Sequence, residues 1–162
     1  MKKAIRNNVF ETNSSSTHTI SISENFNKEN IKFPEVVLFE GGGFGWEVDE
    51  YSDIESKCAY LYTAIKEYYD EKTCNEKLNW IVEVLRKHGT KAYFKEYKGW
   101  DCYIDHSSRL GGFLEYVFEN EDNLLKYIFG DVIIYTSIDN MDWEDKPEVR
   151  DGVGYTNIYK GN

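Results

Sequence analysis

Arginine, proline and cysteine are scarce in this 162-residue chain, and long apolar runs are missing altogether. With 19 basic against 29 acidic side chains the formal net charge is −10. The chain therefore lacks the cationic surplus that releases counterions from duplex nucleic acid or an anionic membrane, and neither is expected as a direct partner. The three cysteines, Cys58, Cys74 and Cys102, are odd in number and no two stand in C-x-x-C spacing. They signal neither a disulfide framework nor a zinc site. No window approaches the roughly 18 apolar residues of a spanning helix. The opening, Met1 to Asn8, has no signal-peptide core, so a cytoplasmic protein is expected and the sequon at Asn13 carries no glycan.

What is present is core material. Hydrophobic residues make up 41% and aromatic residues 16% of the chain, including thirteen Tyr, nine Phe and four Trp. That supplies enough apolar surface to offset the ordering entropy, which excludes a disordered chain. Large rings serve as buried anchors, with some left half-exposed. The length suits one domain, and no repeat or low-complexity linker divides residues 1–162.

Hydrophobic spacing gives the elements. Thr19-Ile20-Ser21-Ile22-Ser23 alternates as a half-buried strand, and 35–40 reads as a second strand before the glycines 41, 42, 43 and 45. Ile54, Cys58, Leu61, Ile65 and Tyr68 lie on one helical stripe, with Ser52 and Glu55 at capping-box spacing. Leu78, Ile81, Val82 and Leu85 form a second stripe after Thr73 and Glu76, closed by Gly89 as a left-handed cap. The short link makes these two a helical hairpin. Strands are expected at 93–97 and 101–104, joined near Lys98-Gly99. Gly111-Gly112 reads as a break, and 113–118 as helix or strand. Asn120 caps a third helix with Leu124, Leu125 and Ile128 inward and Gly130 at its end. Residues 132–136 form a core strand, 139–153 an acidic loop, and 155–159 a last strand. The expected fold is α+β: a single compact domain, mostly antiparallel sheet packed against the helical hairpin and one further helix.

Two places hold residues with chemistry. In the polar run Thr12 to His18, His18 is a candidate general base and Ser15 and Ser16 are candidate nucleophiles; tight-loop and capping hydrogen bonds are the structural alternative. In Tyr103 to Arg109, Asp105 and His106 are candidate partners of that base. Neighbours on a strand face opposite ways, so Asp105 and His106 do not pair with each other, and either with His18 is the pairing to test. His88, at a helix C-terminus, reads as structural. The glycines at 41–45 are followed by Trp46, Glu47, Asp49 and Glu50 rather than Gly-Lys-Ser/Thr, which excludes a phosphate cradle. The acidic loops lack the EF-hand order, and no metal or other cofactor is expected.

The acidic segments also carry aromatic side chains. Trp46, Glu47, Asp49, Glu50 and Tyr51 in one, and Asp142, Trp143 and Glu144 in the other, combine electrostatic steering with ring anchors. They are the candidate residues for binding a partner with a basic surface; solvated acidic loops are the plain alternative.

The stretch from Val9 through Phe10-Glu11-Thr12-Asn13-Ser14-Ser15-Ser16-Thr17 to His18 resembles the opening of small proteins from phages and mobile elements of low-GC bacteria. Phe44-Gly45-Trp46-Glu47, Tyr60-Leu61-Tyr62-Thr63 and Tyr103 to Ser108 are similar to later blocks of that group. Thirteen Asn and thirteen Ile beside four Arg agree with AT-rich codons. The resemblance implies origin rather than a reaction. Three functions follow as expectations. One is an accessory protein that binds a host protein in the bacterial cytoplasm, such as an anti-CRISPR-type defence inhibitor. The others are a small hydrolase or group-transfer enzyme using His18, and a virion or regulatory protein without catalysis.

Overall fold

The computed structural model describes residues 17–45, 49–105, 110–137, 149–150 and 153–161, with side chains from 18 to 136 within those ranges. The alternating segment forms strand β1, Thr17–Ser23, two residues longer than its pattern. Antiparallel partners flank it: β7 (Val132–Ser137) on one side and β9 (Val153–Gly161) on the other. With the short edge strands β4 (Asp49–Tyr51) and β8 (Val149–Arg150) the sheet runs β4-β7-β1-β9-β8. His18, Ile20 and Ile22 face the same way and stand opposite Thr136, Ile134 and Val132. All six are buried, so this face of the sheet forms one wall of the core. A register shift between Ile20 and Ser21 marks a bulge against β9.

Four helices follow the stripes: α1 (Ile54–Tyr68), α2 (Glu71–Lys87), α3 (Leu110–Glu119) and α4 (Glu121–Phe129). The α1–α2 hairpin is as expected. In α1, Cys58, Leu61 and Ile65 are fully buried, but so are Tyr60, Tyr62, Thr63 and Ala64 on its other sides. This helix packs between strand β2 (Val36–Phe39) and α3 with α4, and so is covered nearly all round. The stripe's end residues, Ile54 and Tyr68, reach solvent. A row of rings binds the helices together: Phe44 to Tyr60 at 5.0 Å, Tyr60 to Phe113 at 5.7 Å and Phe113 to Tyr127 at 5.1 Å between centroids. Burying one such side chain contributes about 1.5–3 kcal/mol.

Four expectations need correction. The strands at 93–97 and 101–104 do not form a hairpin. Instead β5 (Lys91–Phe94) lies parallel to β2, and β6 (Tyr103–Ile104) lies parallel to β3 (Gly43–Phe44). Parallel pairing needs a long crossover, and the α1–α2 hairpin is that crossover for β2 and β5. Two helices, not one, follow the hairpin. Gly111-Gly112 does not break the chain but sits in the first turn of α3, where a Cβ on Gly111 would meet the Tyr68 hydroxyl at 2.6 Å. Finally, aspartates take the caps: Asp53 accepts from the Ser56 N–H and Asp70 from the Thr73 N–H. Asn120 caps α4 and Gly89 adopts φ +78 after α2, both as expected.

Candidate functional site

Strand β1 carries His18 into the core face of the sheet, where it is 0% exposed. Its ring lies 6.3 Å from that of Tyr60 on α1, and its backbone stands opposite Thr136. Gly45 follows β3 and Asp105 follows β6 beside it, and the Asp105 N–H donates to the Phe44 carbonyl at 2.9 Å. Gly45 has φ +111, a left-handed conformation that favours glycine. A Cβ placed there would meet the Asp105 Cβ at 2.7 Å and both Cε1 and Nε2 of His18 at 2.8 Å. The imidazole edge and the base of the Asp105 side chain therefore flank one point that only a glycine leaves open. The two side chains thus start from either side of Gly45, which makes a carboxylate–imidazole pairing the contact to test.

Of the two pairings weighed from sequence, the one between Asp105 and His18 is brought together. Ser15, Ser16 and His106 lie outside the described residues. Asp49 is on edge strand β4 opposite Thr136, which itself stands opposite His18, so three residues share one row across the sheet. Strand β6 is held from below by Glu67, whose carboxylate oxygens each accept from the Ile104 N–H at 3.2 Å.

The acidic surface begins at the same edge. Glu40, Asp49, Glu50, Asp53 and Glu55 are all exposed, and no lysine, arginine or histidine occurs between residues 41 and 56. Tyr51 is half-buried, its ring edge-on to Phe44 at 5.3 Å. Trp46, Glu47, Asp142, Trp143 and Glu144 lie outside the described residues. Between the end of β2 and the first turns of α1 runs a cleft of about 300 Å³, with Leu38, Gly41, Phe44 and Ala59 as apolar lining and Glu40, Glu55 and Ser56 as polar lining. Glu40 also holds the Lys95 ammonium at 2.7 Å.

Sequence reasoning missed Trp100, which is 80% exposed. It occupies a tight turn closed by the Asp101 N–H to the Lys98 carbonyl at 3.0 Å, where the central side chains point outward. The turn is pinned at its base. The Tyr62 hydroxyl donates to the Lys95 carbonyl at 2.9 Å, and the Tyr97 hydroxyl donates to the Cys102 carbonyl at 3.2 Å. A tryptophan set in Lys98-Gly99-Trp100-Asp101, among turn residues, was the available signal. For Gly45 it was a glycine enclosed by Phe44 and Trp46, where a close backbone approach is the reason to omit a side chain.

Lys57 is the other buried polar residue of note, 2% exposed. Its ammonium donates to the Gly130 carbonyl at 2.8 Å and so caps the C-terminus of α4, while its own carbonyl accepts from Tyr127. Burial pulls its pKa down to about 8, against the opposing attraction of Asp131 and Asp53. The three cysteines are buried and unbridged, and burial pushes the Cys58 thiol well up. Among the described residues no group of three or more His, Cys, Asp or Glu is placed to hold a metal ion, and no helix is long and apolar enough to cross a membrane. No protein-family model matches the chain, and no curated protein or solved structure matches it.

Proposed function

We propose that this chain is a phage or mobile-element accessory protein that binds a host protein with a basic surface in the bacterial cytoplasm, as a defence inhibitor of the anti-CRISPR type would. One observation carries the reading: five exposed carboxylates just after β2, on β4 and at the start of α1, in a stretch with no cation of its own, two of them lining a partly apolar cleft. Such a surface speeds encounter with a cationic partner and is screened by salt. The test is affinity capture from host lysate at low salt, repeated at high salt and with Asp49→Lys and Glu50→Lys combined. A one-to-one complex that high salt and charge reversal both weaken supports the reading. Recovery of no partner at low salt counts against it.

A second reading is favoured by the meeting of His18 and Asp105 over Gly45. In it the chain is a small hydrolase or group-transfer enzyme. His18 is the base, Asp105 orients it, and a hydroxyl from the Ser14 to Thr17 run is the nucleophile. Full burial of His18 requires that its substrate enter a closed site. Release of nitrophenol from nitrophenyl acetate or phosphate, lost in a folded His18→Gln variant, supports this reading. Equal rates for wild type and His18→Gln sink it.

A further inference from the structure

The geometry points to a specific docking surface: the cleft between β2 and α1 takes an arginine side chain of a basic partner segment, and Trp100 on the adjoining turn stacks on that segment. The inference rests on the binding reading and gives it a location that neither acidic segment alone supplies.

The cleft has the two halves that an arginine side chain has. Phe44 and Ala59 offer apolar surface to its methylene stem, while Glu40, Glu55 and Ser56 offer acceptors to its guanidinium. A planar fork matches carboxylates better than an ammonium does. Glu40 already holds a cation, the Lys95 ammonium, in an exposed pair of the kind that is held weakly and exchanges readily. A partner's arginine competes with Lys95 for that position.

Trp100 stands on the turn whose base adjoins the cleft at Gly41. Gly41 lines the cleft, and a Cβ on it would meet the Cys102 sulfur at 2.5 Å and the Tyr97 ring at 2.9 Å. Those two residues are the base of the turn that displays Trp100. An exposed indole on a turn pinned by two tyrosine hydroxyls loses little freedom on binding, which is the condition for an aromatic anchor. Its ring face also attracts a guanidinium.

The probe is a fluorescein-labelled peptide of alternating glycine and arginine, titrated into the full chain at low salt and followed by anisotropy. Ala59→Trp, which fills the cleft without changing charge, is expected to weaken binding about tenfold, as is Glu40→Gln combined with Glu55→Gln. Trp100→Ala is expected to weaken it about fivefold. Glu76→Gln combined with Glu83→Gln removes equal charge from α2 and is expected to change it less than about twofold. Lys95→Ala frees Glu40 and should tighten binding more than Lys91→Ala, which changes the charge equally. A lysine peptide in place of arginine should bind more weakly. The proposal is overturned when the peptide does not bind, or when the cleft variants and the α2 variants behave alike. A host partner captured undiminished by the cleft variants would overturn the cleft and leave the binding reading standing. Peptide binding in the cleft with no host partner recovered would support the cleft and count against that reading.

Discussion

Two titratable residues lie buried in the core, Lys57 on α1 and His18 on β1, and their surroundings differ. Lys57 is built into the fold. Its ammonium caps α4 through the Gly130 carbonyl, and its carbonyl receives the Tyr127 hydroxyl. Both bonds join α1 to α4, which gives a structural reason for a buried lysine. His18 sits where three segments of the chain converge. The start of β1 and the residues that follow β3 and β6 bring an imidazole, a bare glycine and the Asp105 Cβ to one point. Perturbed or buried titratable groups are functional candidates only in probability, since structural networks also bury them. The contrast shows where to look: Lys57 ties α1 to α4, while beside His18 the chain leaves out a side chain at Gly45, and that junction is the one to probe.

The largest expected effect breaks the His18 side of this comparison. Gly45→Ala puts a methyl into space occupied by the imidazole and Asp105, in a backbone conformation that costs an L-residue energy as well. A loss of about 3 kcal/mol or more is expected in urea unfolding. Gly112, where a Cβ meets nothing within 4 Å, is the control, and Ala there should be neutral or slightly stabilising. A loss below about 1 kcal/mol at Gly45 would show that the junction relaxes and is no fixed site.

The Lys57 side is sharpened by pH. Its folded pKa, about 8, lies below the ordinary 10.5, so between these values the unfolded chain binds more protons than the folded one. Stability therefore rises with pH across that window and is lost as pH falls through 8. The full shift corresponds to roughly 3 kcal/mol, of which about 1.5 develops by pH 9. Above pH 10 the opposite trend sets in: buried Tyr127, and more mildly Tyr62 and Tyr97, are held neutral by desolvation while their unfolded counterparts ionise. Lys57→Met should remove the rise between pH 7 and 9 and leave the alkaline fall. A variant that keeps the rise would show that Lys57 is not its source.

The sequence showed the elements more clearly than their neighbours. Stripes in α1 and α2, alternation in β1, Asn120 as a cap and Gly89 as a left-handed end are local patterns, and each stands where its spacing placed it. The pairing of β5 with β2 joins residues about 55 apart and follows from the hairpin lying between them, which no local pattern states. For the same reason His18 and Asp105 were readable as candidates but not as a pair. Their meeting depends on β1 passing beneath the ends of β3 and β6. Tyr60 took the fully buried place beside His18 because α1 is enclosed on nearly all sides, while an amphipathic stripe predicts only one buried face. Trp100 failed in the other direction: a ring counted as core material stands in solvent because a two-residue turn tip has nothing to pack against.

The smallest effect tests the helix starts, where sequence offered two chemically similar readings. Ser52 with Glu55 fits the capping-box spacing, yet the side chain that accepts the first-turn N–H is Asp53, from Ser56 at 2.8 Å. A carboxylate has the advantage over a hydroxyl there, because its charge also meets the positive end of the helix dipole. The hydrogen bonds from Ser56 hold the Asp53 carboxyl below its ordinary 3.8. A group whose pKa is lowered by folding contributes stability above its unfolded value and loses it as pH falls through its folded one. Asp53→Ala is thus expected to cost about 1 kcal/mol near neutral pH, and the cost should shrink in acid. Ser52→Ala should cost only a few tenths at any pH. Equal losses at the two positions would restore the capping box, with Ser52 as the cap one residue earlier.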